Sequence, residues 1–123
     1  MARDAVPLIH VVDVAATAAW YQNLGFDLVE SAEDDGLLTW ACMKFGDGEV
    51  MFNAGGSASR APRREVDLFL YVHDCDAWFA EVGGQAELIE GPHDTFYGMR
   101  EFTMRDLNGF WITFAAHLER EAS

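Results

Sequence analysis

The chain repeats itself at an offset of 61 residues, and the positions that align are the ones that shape a fold. Asp13, ahead of the first helical pattern, matches Asp74 ahead of the second, and Asp47-Gly48 matches Asn108-Gly109. Leu8, Ile9 and His10 align with Phe69, Leu70 and Tyr71, and Met43, Lys44 and Phe45 with Met104, Arg105 and Asp106. Few side chains are identical, which indicates a duplicated structural module rather than a short-period array. A module of roughly 60 residues folds only marginally by itself, so the halves are expected to share a core or to pair with a second chain.

Within each half the patterning gives the order βαβββ. Residues 6–12 form a short apolar run, Asp13 is placed to cap a helix running to Leu24, and Gly25 stands where a left-handed residue ends it. Residues 26–30 are strand-like, 31–36 read as an acidic turn, and 37–45 with 49–53 form a hairpin across Gly46-Asp47-Gly48. The second half repeats this with a strand at 66–72, a helix at 74–82, a strand at 86–90 and a loop through Pro92, His93 and Asp94. It closes with a hairpin of 99–105 and 110–115. Residues 54–65, rich in Gly, Ser, Ala and Pro, read as a linker between modules at about 5–53 and 66–116, all in a single α+β domain of cupped mixed sheets.

The net charge of −13, with eight Lys and Arg in 123 residues, argues against nucleic acid as a partner, because phosphate binding draws on basic side chains. It suits a cationic or neutral small molecule. Cys42 and Cys75 are too few for a disulfide scaffold. The N-terminus lacks the apolar stretch of a signal peptide and no run of ~18 apolar residues occurs, so the expectation is a cytoplasmic protein without membrane contact.

Three stretches resemble the vicinal-oxygen-chelate superfamily, which includes glyoxalase I, extradiol dioxygenases and fosfomycin- and bleomycin-resistance proteins. They are Pro7-Leu8-Ile9-His10-Val11-Val12-Asp13 leading into Trp20-Tyr21-Gln22-Asn23-Leu24-Gly25-Phe26, then Val72-His73-Asp74-Cys75-Asp76-Ala77, and finally residues 97–109. The last stretch, with Gly98-Met99-Arg100-Glu101-Phe102 ahead of Arg105-Asp106, is most similar to the bleomycin-resistance branch, although Leu107 stands where that branch usually has Pro. The resemblance implies two βαβββ modules and, commonly, a homodimer.

In metal-dependent relatives, the resemblance implies two ligand positions per module, seven residues before the helix-start Asp and four after the Gly of the last hairpin. Here those positions are Val6, Phe52, Asp67 and Thr113. A divalent ion needs three or four converging N, O or S donors, and Val and Phe supply none. No metal and no other cofactor is therefore expected at the inherited site, displaced ligands elsewhere being the alternative.

Strand alternation supplies the remaining candidates. Ala41, Met43, Phe102 and Met104 are expected to pack on helices, leaving Leu38, Trp40, Cys42, Glu101, Thr103 and Arg105 on the concave face. His10 and its repeat mate Tyr71 face the same side. The expected ligand-binding set is His10, Leu38, Trp40, Phe52, Asp67, Phe69, Tyr71, Tyr97, Glu101, Thr103 and Trp111. Broad aromatic surface beside carboxylates suits an aromatic or cationic small molecule, held by stacking and charge-assisted hydrogen bonds. For each aromatic, plain cavity filling competes with this reading. His73 and His117 read as solvated, the latter in a charged tail, and His93 as a loop residue. Neither cysteine nor the linker serines have the setting of a nucleophile. The expected function is metal-independent binding of such a molecule, as in drug sequestration by bleomycin-resistance proteins. The enzyme alternative is a glyoxalase- or lyase-like activity using His10 with Asp67 or Glu101 as acid and base, or a displaced metal.

Overall fold

The computed structural model describes residues 2–118. Its elements run β1 (Leu8–His10), α1 (Val14–Asn23), β2 (Asp27–Asp34), β3 (Leu37–Phe45), β4 (Gly48–Asn53), β5 (Asp67–Tyr71), α2 (Cys75–Val82), β6 (Glu87–Asp94), β7 (Met99–Arg105) and β8 (Trp111–His117). The strands form two four-stranded sheets, β1-β4-β3-β2 and β5-β8-β7-β6, each with one parallel pair, β1 with β4 or β5 with β8. The chain divides into two compact units at Ser59 and Arg60.

In the first unit Asp13 caps α1 by accepting the Ala16 N–H at 2.9 Å, and Thr17 Oγ1 donates to the Asp13 carbonyl at 2.8 Å. The buried residues of α1, Val14, Thr17, Ala18 and Tyr21, recur at helical spacing and make one apolar stripe. Gly25, with φ +104°, takes the left-handed conformation that releases the chain into Phe26. The stripe meets Ile9, Ala41, Met43, Val50 and Phe52, all buried. Tyr21 lies 4.9 Å from Phe52 and 5.0 Å from Phe26, centroid to centroid.

The second unit repeats the plan with different side chains. Asp74 accepts the Ala77 N–H at 3.1 Å, and α2 fully buries Cys75 and Val82. Its aromatic residues reach the sheet: Phe79 sits edge-on to Phe102 at 5.0 Å and Trp78 lies 5.9 Å from Phe114. Phe102 and Phe114 are wholly buried, and each such side chain removed from water contributes roughly 1.5–3 kcal/mol.

Several boundaries differ from the sequence reading. Residues 31–34, expected as a turn, continue β2, and Gly91 to Asp94, expected as a loop, continue β6. Both are edge strands with register shifts, a place where a bulge accommodates Pro92 without a lost ladder bond. Likewise β8 runs on to His117, which is no tail residue.

The most consequential difference is at the hairpins. In the first, Lys44 pairs with Glu49 across four residues; in the second, its repeat mate Arg105 pairs with Trp111 across five, Asp106 to Phe110. Asp106 organises that longer turn, accepting the N–H groups of Asn108 and Phe110 at 2.8 Å each, so Leu107 needs no proline rigidity. An inserted residue exchanges the two faces of the following strand. Ile9 and Ala41 both pair with Phe52, as Leu70 and Phe102 pair with Phe114. Phe114 is thus the mate of Phe52, and Met51 is the mate of Thr113.

Candidate functional site

Each sheet turns one face to its helix; the other, the open face, mixes exposed and buried side chains. In the first unit, register sets His10, Asn53, Trp40 and Ala32 in one row of the open face and Leu8, Met51, Cys42 and Glu30 in the next. Leu38 lies two residues before Trp40 on β3, on the same face. His10 is exposed, and its Nδ1 donates to the Ala54 carbonyl at 3.0 Å. Gly56 carries the departing chain so close to the His10 carbonyl that a Cβ there would fall 2.4 Å from it.

Phe52 does not belong to this set. It is wholly buried, stacked toward Tyr21 on the helix side, because the shorter first hairpin puts Met51 on the open face instead.

The open face of the second unit carries three rows. The first is Tyr71, Ala115, Glu101 and His93; the second is Phe69, Thr113, Thr103 and Glu90; the third is Asp67, Trp111, Arg105 and Glu87. Same-face neighbours on adjacent strands stand about 4.5–5.5 Å apart at Cβ, so each row is a contact series.

The third row is already covered by the chain itself. Arg63 ion-pairs with Asp67 and holds its guanidinium 4.3 Å from the Trp111 ring centroid. The Pro62 carbonyl accepts from Arg105 Nη2 at 2.6 Å and from Trp111 Nε1 at 3.3 Å. Arg105 also pairs with Glu87 at 2.8 Å. Asp67 and Trp111, both expected as ligand contacts, therefore meet a cation from the preceding segment.

The other two rows mix exposed rings with buried polar groups. Phe69 is 45% and Tyr71 64% exposed, their rings edge-on at 5.3 Å, and Tyr71 stacks on His117 at 5.9 Å and 11°. Thr103 and Thr113 hydroxyls bond to each other at 2.9 Å. Glu101 is buried, and its Oε1 accepts the Tyr97 hydroxyl at 2.7 Å. That bond, followed by burial and the Glu101 charge, raises the Tyr97 pKa. His93 and His117 were missed in the sequence because β6 and β8 were ended early, and alternation carried a few residues further finds both; Ala115 lay within the expected strand but carries no polar or aromatic group to mark it.

The positions at which a metal is implied do not fit one. Val6 is aliphatic, Phe52 is buried on the helix side and leaves its place to Met51, a soft thioether, Asp67 is engaged by Arg63, and Thr113 is bonded to Thr103. Among the described residues no group of three or more His, Cys, Asp or Glu is arranged to hold an ion. The cysteines are poor nucleophiles. Burial raises the Cys42 thiol first, reinforced by Glu49 and Glu30, and burial likewise raises Cys75, reinforced by Asp76.

A family model described as the Glyoxalase/Bleomycin resistance protein/Dioxygenase superfamily matches residues 5–114. The chain belongs to this superfamily. Solved structures agree on the fold of this superfamily member. TioX from Micromonospora sp. ML1 superimposes with a TM-score of 0.78 at 24% identity, covering 95% of this chain and 100% of that one. A bleomycin-binding protein in complex with bleomycin gives 0.72 at 20% identity, over 94% of this chain and 99% of that one. The bleomycin resistance determinant encoded on transposon Tn5 gives 0.72 at 20% identity, over 94% and 98%. Comparison with curated proteins finds no significant match. Among the described residues of this superfamily member no helix is long and apolar enough to cross a membrane.

Proposed function

We propose that this protein reversibly binds an aromatic small molecule on the open face of its second sheet, without a metal and without chemical change. The observation that carries the reading is the exposed array of Phe69, Tyr71 and His117, three rings held edge-on and stacked on one sheet face. Such an array offers planar surface without further ordering cost, since the strand already fixes the rings. The net charge of −13 favours a cationic or neutral ligand over an anion. The bleomycin complex of a structural neighbour supports drug sequestration as the biological use of such binding. Sequestration in the cytoplasm by a homodimer belongs to the same proposal.

Thermal-shift screening of glycopeptide, quinone and heteroaromatic compounds tests it. A ligand at a hundred times its dissociation constant adds about 2.7 kcal/mol of stability. Tyr71→Ala should weaken a stacked ligand by about 1 kcal/mol or more, with little change in the stability of the free protein. Hits recovered unchanged by mass spectrometry support sequestration; steady conversion would replace it with the acid–base enzyme. Sedimentation as a monomer at micromolar concentration would remove the homodimer.

A further inference from the structure

The first row on the second sheet sets one ring of the array, Tyr71, across Ala115 from a carboxylate, Glu101. This glutamate is 8% exposed, and while its Oε1 takes the Tyr97 hydroxyl, its Oε2 is buried with no hydrogen-bond partner among the described residues. Burying a carboxylate oxygen without a donor is costly, and a fold keeps such a group where something else repays it. The neighbours on its own face do not. Ala115, its partner on β8, presents only a methyl group, and the hydroxyls of Thr103 and Thr113 in the next row are bonded to each other. His93, its partner on β6, directs Nδ1 to the Gly91 carbonyl at 3.0 Å and Nε2 toward Glu90 at 3.7 Å.

The hydrogen-bond partner of Glu101 is itself an exposed side chain. Tyr97 is 52% exposed and belongs to the turn between β6 and β7, beside the fully exposed Phe96. Rotation of its ring would give up the bond to Oε1 and the edge contact with Phe96 at 5.1 Å, while Ala115 and then Tyr71 follow Glu101 along the same row. A planar ligand lying on the rings of Tyr71 and Phe69 reaches Glu101 across one strand.

We infer that Glu101 is the polar anchor of the ligand site and selects aromatic molecules that carry an amidinium, guanidinium or protonated amine beside the ring. An N–H cation satisfies Oε2 with a charge-assisted bond, and a neutral analogue of equal shape leaves it orphaned. The same chemistry is displayed elsewhere in the unit, where Arg63 joins an aromatic ring and a carboxylate at once. This inference rests on the aromatic-face reading above, and its test separates the two.

The test is titration of the full chain with benzamidine and with its neutral analogue benzamide, followed by NMR chemical shifts. Benzamidine should bind at least about tenfold more tightly. Glu101→Gln should reduce that preference to less than about twofold, whereas Glu33→Gln, an exposed charge on β2, should leave the preference intact. Tyr97→Phe, which frees the second carboxylate oxygen without deleting the ring, should keep or increase the preference even if the Gln variant folds poorly. A preference that survives in Glu101→Gln, or vanishes in Tyr97→Phe, overturns the anchor. Equal binding of both probes, weakened by Tyr71→Ala, overturns the anchor alone; binding of neither overturns the anchor and the aromatic face together.

Discussion

The two units share a backbone plan and differ in what their open faces offer. In the first unit, the row through His10 continues with Asn53, Trp40 and Ala32; the corresponding row of the second holds Tyr71, Ala115, Glu101 and His93. The helix-facing sides are buried in both units, with Phe52 and Phe114 in matching places and Ala41 matched by the larger Phe102. The two modules have therefore kept apolar burial on the side that stabilises each unit, while the other side differs in chemical character. The one-residue difference between the hairpins is what keeps the equivalence from being a constant offset.

The sharpest way to break this equivalence is to truncate the two phenylalanines. Phe52→Ala and Phe114→Ala should each cost about 3–5 kcal/mol in urea unfolding, and ligand affinity per folded molecule should not change. A mild Phe52→Ala that instead abolishes binding would return Phe52 to the open face and restore the constant offset. A smaller effect sharpens the comparison of the helices. Asp13→Ala and Asp74→Ala should each lose about 1 kcal/mol, since both carboxylates accept an N–H three residues on. A much smaller loss for Asp74→Ala would show that α2, eight residues long, frays locally while α1 does not.

The smallest effect is a titration. The Tyr97 pKa is raised, chiefly by its bond to Glu101. The unfolded chain then gives up this proton first, at about pH 10, so the contribution to stability is whole below that pH and is lost as pH rises through the higher folded value. An ultraviolet titration of the native protein should show a late phenol that disappears in Tyr97→Phe. A phenol at Tyr97 that titrates at the ordinary value would mean that the bond to Glu101 is absent in solution.

Much of the fold could be read from the chain because strong hydrophobic alternation marks the central strands. Both ends of β3 and β7 agree with the sequence reading, as does the cap at Asp13. The edge strands were harder. Residues 31–34, Ser-Ala-Glu-Asp, are exposed throughout, so no apolar face records their pairing, and Pro92 argues locally against the strand that holds it. The aromatic and acidic residues of the second open face followed from alternation, but Phe52 was misplaced because the two turns differ in length, which only register reveals. The engagement of Asp67 by Arg63 joins a strand to an irregular segment, and no periodicity encodes it.

The Arg63 guanidinium on Trp111 gives the protein a resident competitor. A tethered group held over one ring acts like a ligand at millimolar local concentration, on the order expected for a short flexible connection. A visiting cation seeking that ring must outcompete a rival that never diffuses away, so its apparent affinity there falls by the fraction of time Arg63 is in place. Salt screens the exposed Arg63–Asp67 pair and shortens that residence, so Trp111 becomes more available as ionic strength rises, opposite to the trend for an ordinary charged site.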